Sequence, residues 1–331
     1  MFSGPRAEGS RKPRGGKPLP VTIVLCCPFM TISAESAVDW EKLGNPSPDS
    51  LVDARLQLHY AAQIASSVGF TFVEPARDDS HTNLEWVDSL GALSSKPAAG
   101  DPPFHAALDV AGLRLLLVSG EDRRGVLNSF DLDGQTVEAA YAWLESVIER
   151  FSGSKLSKGI VRSPNPIPAH PVAQGQPFSF AAPEAFAELR RWFANSDRLC
   201  RKIEAEMPKA SPVRCWPHHF DMATLIEFQP AQGRDSGRSI GVGMTPGDED
   251  YSEPYLYVTP WPYPHDPPLP PLAGEGQWHS EGWLGAVLTG PNLVAAGGAD
   301  EQSLRAADFL ASALKACLEL VGVSFPERTH P

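Results

Sequence analysis

No CxxC pair occurs in the 331-residue sequence, and its five cysteines (Cys26, Cys27, Cys200, Cys215, Cys317) match no disulfide framework. A zinc knuckle and a thioredoxin-like motif are thereby excluded. There is no HExxH helix, so zincin chemistry lacks its signature. No apolar run approaches the roughly 20 residues a transmembrane helix needs. Basic side chains are also scarce, 28 against 40 acidic ones. Setting aside the five bases and one acid of residues 1–20 leaves 23 against 39, a net of −16. So acidic a body repels phosphate backbones and anionic lipid, which argues against nucleic-acid or membrane-surface partners.

Residues 1–34 are basic, then apolar (Val21 to Met30), then small. That is the outline of a secretory signal, but the basic region is long and Pro28 interrupts the apolar run. A disordered basic extension is the simpler reading, and the unpaired thiols point to the cytoplasm.

What is present reads as runs of strands between helices. Asp49 or Ser50 can cap a helix to about Ser67, with Leu51, Ala54, Leu58, Ala61 and Ala65 at helical spacing and Gly69 as its stop. Strand-like runs follow at 70–73, 82–86, 105–110, 113–118 and 126–132, with Ala111-Gly112 as a turn. A second helix begins near Thr136. Residues 152–182 are rich in Ser, Gly and Pro and suggest a linker or strap. The order then repeats: a helix from Pro183 to Met207, strands at 213–216, 221–228, 239–244, 255–260 and 283–289, and a helix over about 301–321. This predicts an α+β fold with antiparallel sheets. The two similar halves, 50–151 and 183–322, suggest an internal duplication, with 323–331 as a tail.

Chemistry-bearing residues concentrate between 214 and 283, which hold four of the nine His and four of the eight Trp. Phe220, Met222, Ile226 and Phe228 alternate toward a core, which puts His219 on the same face as Asp221. His279 and Glu281 repeat the His-x-acid spacing. Two such pairs on neighbouring strands would converge on a divalent transition metal, since imidazole and carboxylate suit Zn, Fe, Ni or Mn. The plainer alternatives are a metal-free polar pocket and structural hydrogen bonding. Arg238 to Gly247 is glycine-rich but lacks phosphate-loop spacing, and Asp248-Glu-Asp250 after it reads as a solvated turn. Eight prolines in residues 254–271 argue against a central strand there. This segment, with Tyr255 and Trp261, is expected to be either a cleft wall or a strap over the core. In the first half His81 and Glu85 are the nearest counterpart, while His59 reads as a packed helix histidine.

Leu58-His-Tyr-Ala-Ala-Gln-Ile64, the block from Ser211-Pro-Val-Arg-Cys-Trp216 to Pro217-His-His-Phe-Asp221, Glu253-Pro-Tyr-Leu-Tyr257 and the Trp283 strand resemble an uncharacterised bacterial domain family over roughly residues 50–320. That family carries small residues at the positions of His218 and His219 and lacks a clear His279-x-Glu281, so this chain resembles a divergent branch. The resemblance implies one continuous globular unit and no particular chemistry.

The expectation is a small-molecule-binding protein, metal-dependent or not, with a pocket of Trp216, His218, His219, Asp221, Tyr255, Trp261, His279 and Glu281. Its metal ligands would be His219, Asp221, His279 and Glu281. The alternative is a non-catalytic interaction protein that docks through residues 254–271.

Overall fold

The computed structural model describes residues 39–120, 123, 125–229 and 237–323. The basic extension, Cys26, Cys27 and nearly all of the C-terminal tail lie outside them. The fold is α+β. Its first half is α1 (Val52–Phe72), five strands and α2 (Val137–Ser152). The strands β1 (Glu85–Val87), β2 (Ala92–Ser94), β3 (Phe104–Asp109), β4 (Arg114–Ser119) and β5 (Gly125–Asp131) pair in that order as an antiparallel meander.

The second half opens with α3 (Pro183–Glu206). Strands β6 (Arg214–Trp216), β7 (Asp221–Gln229), β8 (Arg238–Thr245) and β9 (Tyr255–Trp261) follow, then β10 (Gln277–His279) and β11 (Gly285–Thr289). The spatial order is β10-β11-β9-β8-β7-β6, antiparallel throughout. The short α4 (Gly290–Val294) leads into α5 (Ala299–Leu320). With the edge strand β10 set aside, both halves run helix, five-stranded meander, helix.

The first strands of the two sheets meet. Leu84 and Cys215 exchange two backbone hydrogen bonds, at 3.0 and 2.8 Å. Helices cover one side of this joined sheet: α1 and α2 pack on the first meander, α3 and α5 on the second. Alternation supplies the apolar face. Met222, Ile226, Phe228, Ile240, Val242, Met244, Leu256 and Val258 are buried with Leu84, Trp86, Leu108 and Leu117 in one core continuous across both halves. Residues between them in sequence therefore face the opposite side, where Leu225 and Trp261 are exposed.

Several local expectations fail for tertiary reasons. Gly69 does not stop α1, which runs on through Phe72 and absorbs the strand expected at 70–73. A Cβ on Gly69 would lie 2.2 Å from the His81 carbonyl oxygen, so this glycine serves a close backbone approach. Residues 80–82 form a 3-10 turn, leaving β1 only three residues. The prolines do not exclude a central strand: β9 lies between β8 and β11 and contains Pro260. Pairing to β11 covers only Tyr255 to Val258, so Pro260 falls where that side of β9 is no longer paired.

Residues 153–182 strap the first half. Phe178 is buried and bridges to Asp133, Tyr60 Oη donates to the Pro168 carbonyl (2.9 Å), and Val161 N donates to Thr71 Oγ1 (3.0 Å). Among the described residues no helix is long and apolar enough to cross a membrane.

Candidate functional site

The turn between β6 and β7 sets the site's geometry. His219 N and Phe220 N both donate to the Trp216 carbonyl, and Phe220 takes a left-handed conformation at φ 60°. Its buried ring stacks on His59 of α1, with centroids 5.1 Å apart and planes 10° from parallel, and tilts against Phe193 of α3. His59 Nε2 donates to the Pro217 carbonyl (2.9 Å), which also receives Gln63 Nε2. Two helices thus hold the turn from below.

His218 and His219 sit on this turn, not on the strand, so their expected alternation is corrected. The left-handed residue at Phe220 breaks the register before β7 begins. His218 is half-buried and His219 exposed, with their rings 4.2 Å apart. Burial foremost, then the neighbouring His219, lowers the His218 pKa to about 4.

Asp221 opens β7 and pairs with Trp216. Tyr257 Oη donates to Asp221 Oδ2 at 2.5 Å, across the intervening β8. Gly243 permits this, since it pairs with Tyr257 and a Cβ there would lie 2.7 Å from Tyr257 Oη. Burial raises the Asp221 pKa, opposed by His219 and by the Tyr257 hydrogen bond. Burial and the adjacent carboxylate also raise Tyr257. Asp221 Oδ1 is buried without a hydrogen-bond partner. A carboxyl with one oriented and one unsatisfied oxygen can hold a donor group or exchange a proton.

The β8–β9 connection closes one end of this face. Asp248 Oδ1 accepts from the backbone N of Asp250 (2.9 Å) and Tyr251 (3.0 Å), while Oδ2 accepts from Tyr255 Oη (2.5 Å). The turn is thus built around Asp248 rather than simply solvated. Arg55 reaches up from α1 to the Gly247 carbonyl at 2.6 Å.

His279 lies elsewhere. It stacks on Trp283, with centroids 4.3 Å apart, and bonds Tyr251 Oη through Nδ1 and the Glu281 carbonyl through Nε2. His279 therefore meets Glu281 through the backbone, not the carboxylate. The expected convergence also fails topologically: β8, β9 and β11 stand between β7 and β10. At roughly 4.8 Å per strand the two pairs begin about 19 Å apart. Among the described residues no group of three or more His, Cys, Asp or Glu is placed to hold a metal ion. The proposed quartet of His219, Asp221, His279 and Glu281 is not assembled, so the structure offers no support for a metal there.

Of the other expected pocket residues, Trp216 and Tyr255 lie on the Asp221 side. Trp261 is 39% exposed and stacks edge-on with the exposed Tyr263. Of the aromatics in the proline segment, Trp261 and Tyr263 are thus solvent-facing, whereas Tyr255 is buried. In the first half, His81 Nδ1 accepts from Ala76 N, and Glu85 pairs with Lys96 and Arg123. Sequence reasoning overlooked Tyr257, Gly243 and the role of Asp248. The alternation of Tyr255 and Tyr257 within one strand was the available signal for the first.

No family model, curated protein or solved structure matches this chain.

Proposed function

We propose that this protein binds a small molecule on the open face of the second sheet, at Asp221 and Tyr257, without needing a metal. The single observation that carries the reading is Asp221 Oδ1, a buried oxygen lacking a partner beside one held at 2.5 Å by Tyr257. Most buried polar atoms in folded proteins are satisfied, and exceptions with perturbed ionisation concentrate at functional sites. Trp216 supplies aromatic surface next to it, and His219 an exposed imidazole. The block from Ser211 to Asp221 builds most of this site. It is also the block that resembles the uncharacterised bacterial family, which would then share the site's framework. The matching element order of the two halves supports their origin by duplication.

A fragment screen read by amide chemical shifts tests the proposal. Hits should move Trp216, Asp221, Gly243 and Tyr257 together and should weaken in Tyr257→Phe. A screen with no hit on these residues would reject it.

A second reading rests on different residues. Trp261, Tyr263, Leu269 and Leu225 are each more than a third exposed, as a docking surface for another protein requires. Hits confined to Trp261 and Tyr263 would favour that reading.

A further inference from the structure

We infer that Arg214 is the centre of a second site, at the junction of the two sheets, that takes a compact oxyanion of the phosphate-monoester class. This site is independent of the Asp221–Tyr257 reading above.

Two backbone hydrogen bonds join Leu84 to Cys215, so Glu85 falls opposite Arg214. Leu84, Cys215 and Met222 belong to the core, which leaves Glu85, Arg214 and the small Ala223 paired with it on the uncovered face. Glu85 is the obvious partner for Arg214, but both of its oxygens are taken. Oε1 accepts from Lys96 Nζ, and Oε2 from Arg123 Nη2 (2.6 Å) in the hairpin between β4 and β5. Arg214 is left with no hydrogen bond or ion pair among the described residues. Its Nε is buried and unpartnered, while its two terminal nitrogens reach solvent. Arg123 Nε is likewise buried without a partner. The unpartnered acceptors of this face, Asn83 Oδ1, His105 Nε2 and Asp221 Oδ1, are all buried atoms. A solute arriving from solvent therefore meets the open guanidinium fork first.

Charge points the same way. Burial alone would raise the Glu85 carboxyl, but hydrogen bonds from Lys96 and Arg123 bring it down to about 2, so it is ionised at neutral pH. Three cations thus meet one carboxylate. The side chains of Lys96, Arg123 and Glu85 are each less than a third exposed, which weakens the screening of the surplus by water. Asp78 feels Arg214 through space, yet it is exposed and its Oδ1 accepts from Ser80 N (3.2 Å). A surplus of two positive charges matches a phosphate group, about −1.5 to −2 at pH 7. An arginine fork suits two of its oxygens. The −16 carried beyond residue 20 does not forbid this, because salt screens charges more than about 8 Å away. It disfavours a long polyanion, whose charge would lie along the acidic body.

Inorganic phosphate, titrated into the full chain at fixed ionic strength with chloride as the control, tests the assignment. Phosphate should saturate, shift the Nε–H signals of Arg214 and Arg123 with the Glu85 amide, and raise the melting temperature. Chloride should do none of these. Arg214→Gln should weaken phosphate binding about tenfold. It should leave the phosphate-free melting temperature unchanged, since this side chain has no partner to lose. Glu85→Gln should tighten binding, because it releases Lys96 and Arg123 from their carboxylate. The comparison of phosphate with chloride on the unaltered protein needs no variant to fold. No saturation by about 10 mM phosphate, equal shifts with chloride, or full binding by Arg214→Gln would each overturn the inference. Phosphate shifts centred on Asp221 and Tyr257 would overturn it too, while supporting the small-molecule reading.

Discussion

The Tyr257 hydroxyl reaches Asp221 across a strand, at 2.5 Å, because the residue between them is Gly243. The pair links β7 to β9 over the top of β8, on the face that the helices leave uncovered. Hydrogen bonds to a charged acceptor are roughly twice as strong as neutral ones. Here the donor also fixes the direction in which the other carboxyl oxygen points.

Gly243→Ala should therefore disturb both stability and the site. A Cβ at this position would stand 2.6 Å from the Met222 carbonyl oxygen and 2.8 Å from Ala223 Cβ, as well as against the phenol. The first contact is backbone within a paired strand and cannot move aside. Overpacking of this kind costs about 1–3 kcal/mol. Urea unfolding would measure it, and a loss below about 0.5 kcal/mol would mean the sheet accommodates the methyl freely. Gly241→Ala is the control, since its Cβ would meet only Thr259 Oγ1, the movable end of a side chain.

His59 makes stability depend on pH. Burial is the main cause that lowers its pKa from 6.5 to about 4, partly offset by the Pro217 carbonyl and reinforced by Arg55 and His219. In the unfolded chain the imidazole takes up a proton below about 6.5, whereas in the fold it stays neutral down to about 4. Stability is thus complete above pH 6.5 and falls as pH drops toward 4, by about 3 kcal/mol from this group alone. His218 adds in the same window, discounted because it is more exposed. Urea midpoints at pH 7.5 and 5 would read the effect, and His59→Gln should flatten the difference substantially. An unchanged difference would assign the titration to other groups.

How much of this was legible beforehand depends on the range of the interaction. Alternation from Phe220 to Phe228 announced β7 and its core face, and Pro183 and Thr136 marked the starts of α3 and α2, because these signals are local. Gly69 misled because its reason lies in the His81 backbone, brought close only by the fold. Pro260 misled because strand β9 is central over four residues and unpaired on one side beyond them. The His-x-acid repeats misled most. Spacing of two says that side chains share a face only if both lie on a strand, and it says nothing about how many strands stand between two such pairs. The place of Asp221 at the head of the alternating run was legible; its tyrosine partner was hidden by the need for a glycine on a third strand.

Metal should leave the protein unaffected. Both ring nitrogens of His279 are occupied, by Tyr251 and by the Glu281 carbonyl, so ligation would have to break two hydrogen bonds and a stack on Trp283. Zinc or nickel added in excess to untagged protein should not raise its melting temperature, and chelator should not lower it. Saturable uptake of one equivalent with a higher melting temperature would contradict this.

Gln302 offers the clearest stability test away from the site. Its side chain is fully buried on α5, where Oε1 accepts from Trp40 Nε1 (3.2 Å) and Leu43 N (2.9 Å). Its Nε2 donates to the carbonyls of Leu43 (3.0 Å) and Gly297 (3.2 Å). One amide thereby ties the first described segment to the last helix, while Asn195 and Glu188 of α3 hold the same segment at Glu41 and Gly44. Gln302→Ala would strand three buried polar groups at once, Trp40 Nε1 and the Leu43 N–H and carbonyl, each costing about 1–3 kcal/mol if water cannot reach it, while the Gly297 carbonyl belongs to an exposed residue. Partial rehydration at the segment's edge reduces the sum, and a loss of about 3–5 kcal/mol is expected. Gln302→Met keeps the volume and removes only the hydrogen bonds, so it should lose nearly as much. If Met were tolerated within about 1 kcal/mol while Ala was not, packing rather than hydrogen bonding would hold the segment down. Hydrogen exchange at the Leu43 amide would separate the two directly, because only the loss of its acceptor exposes that proton.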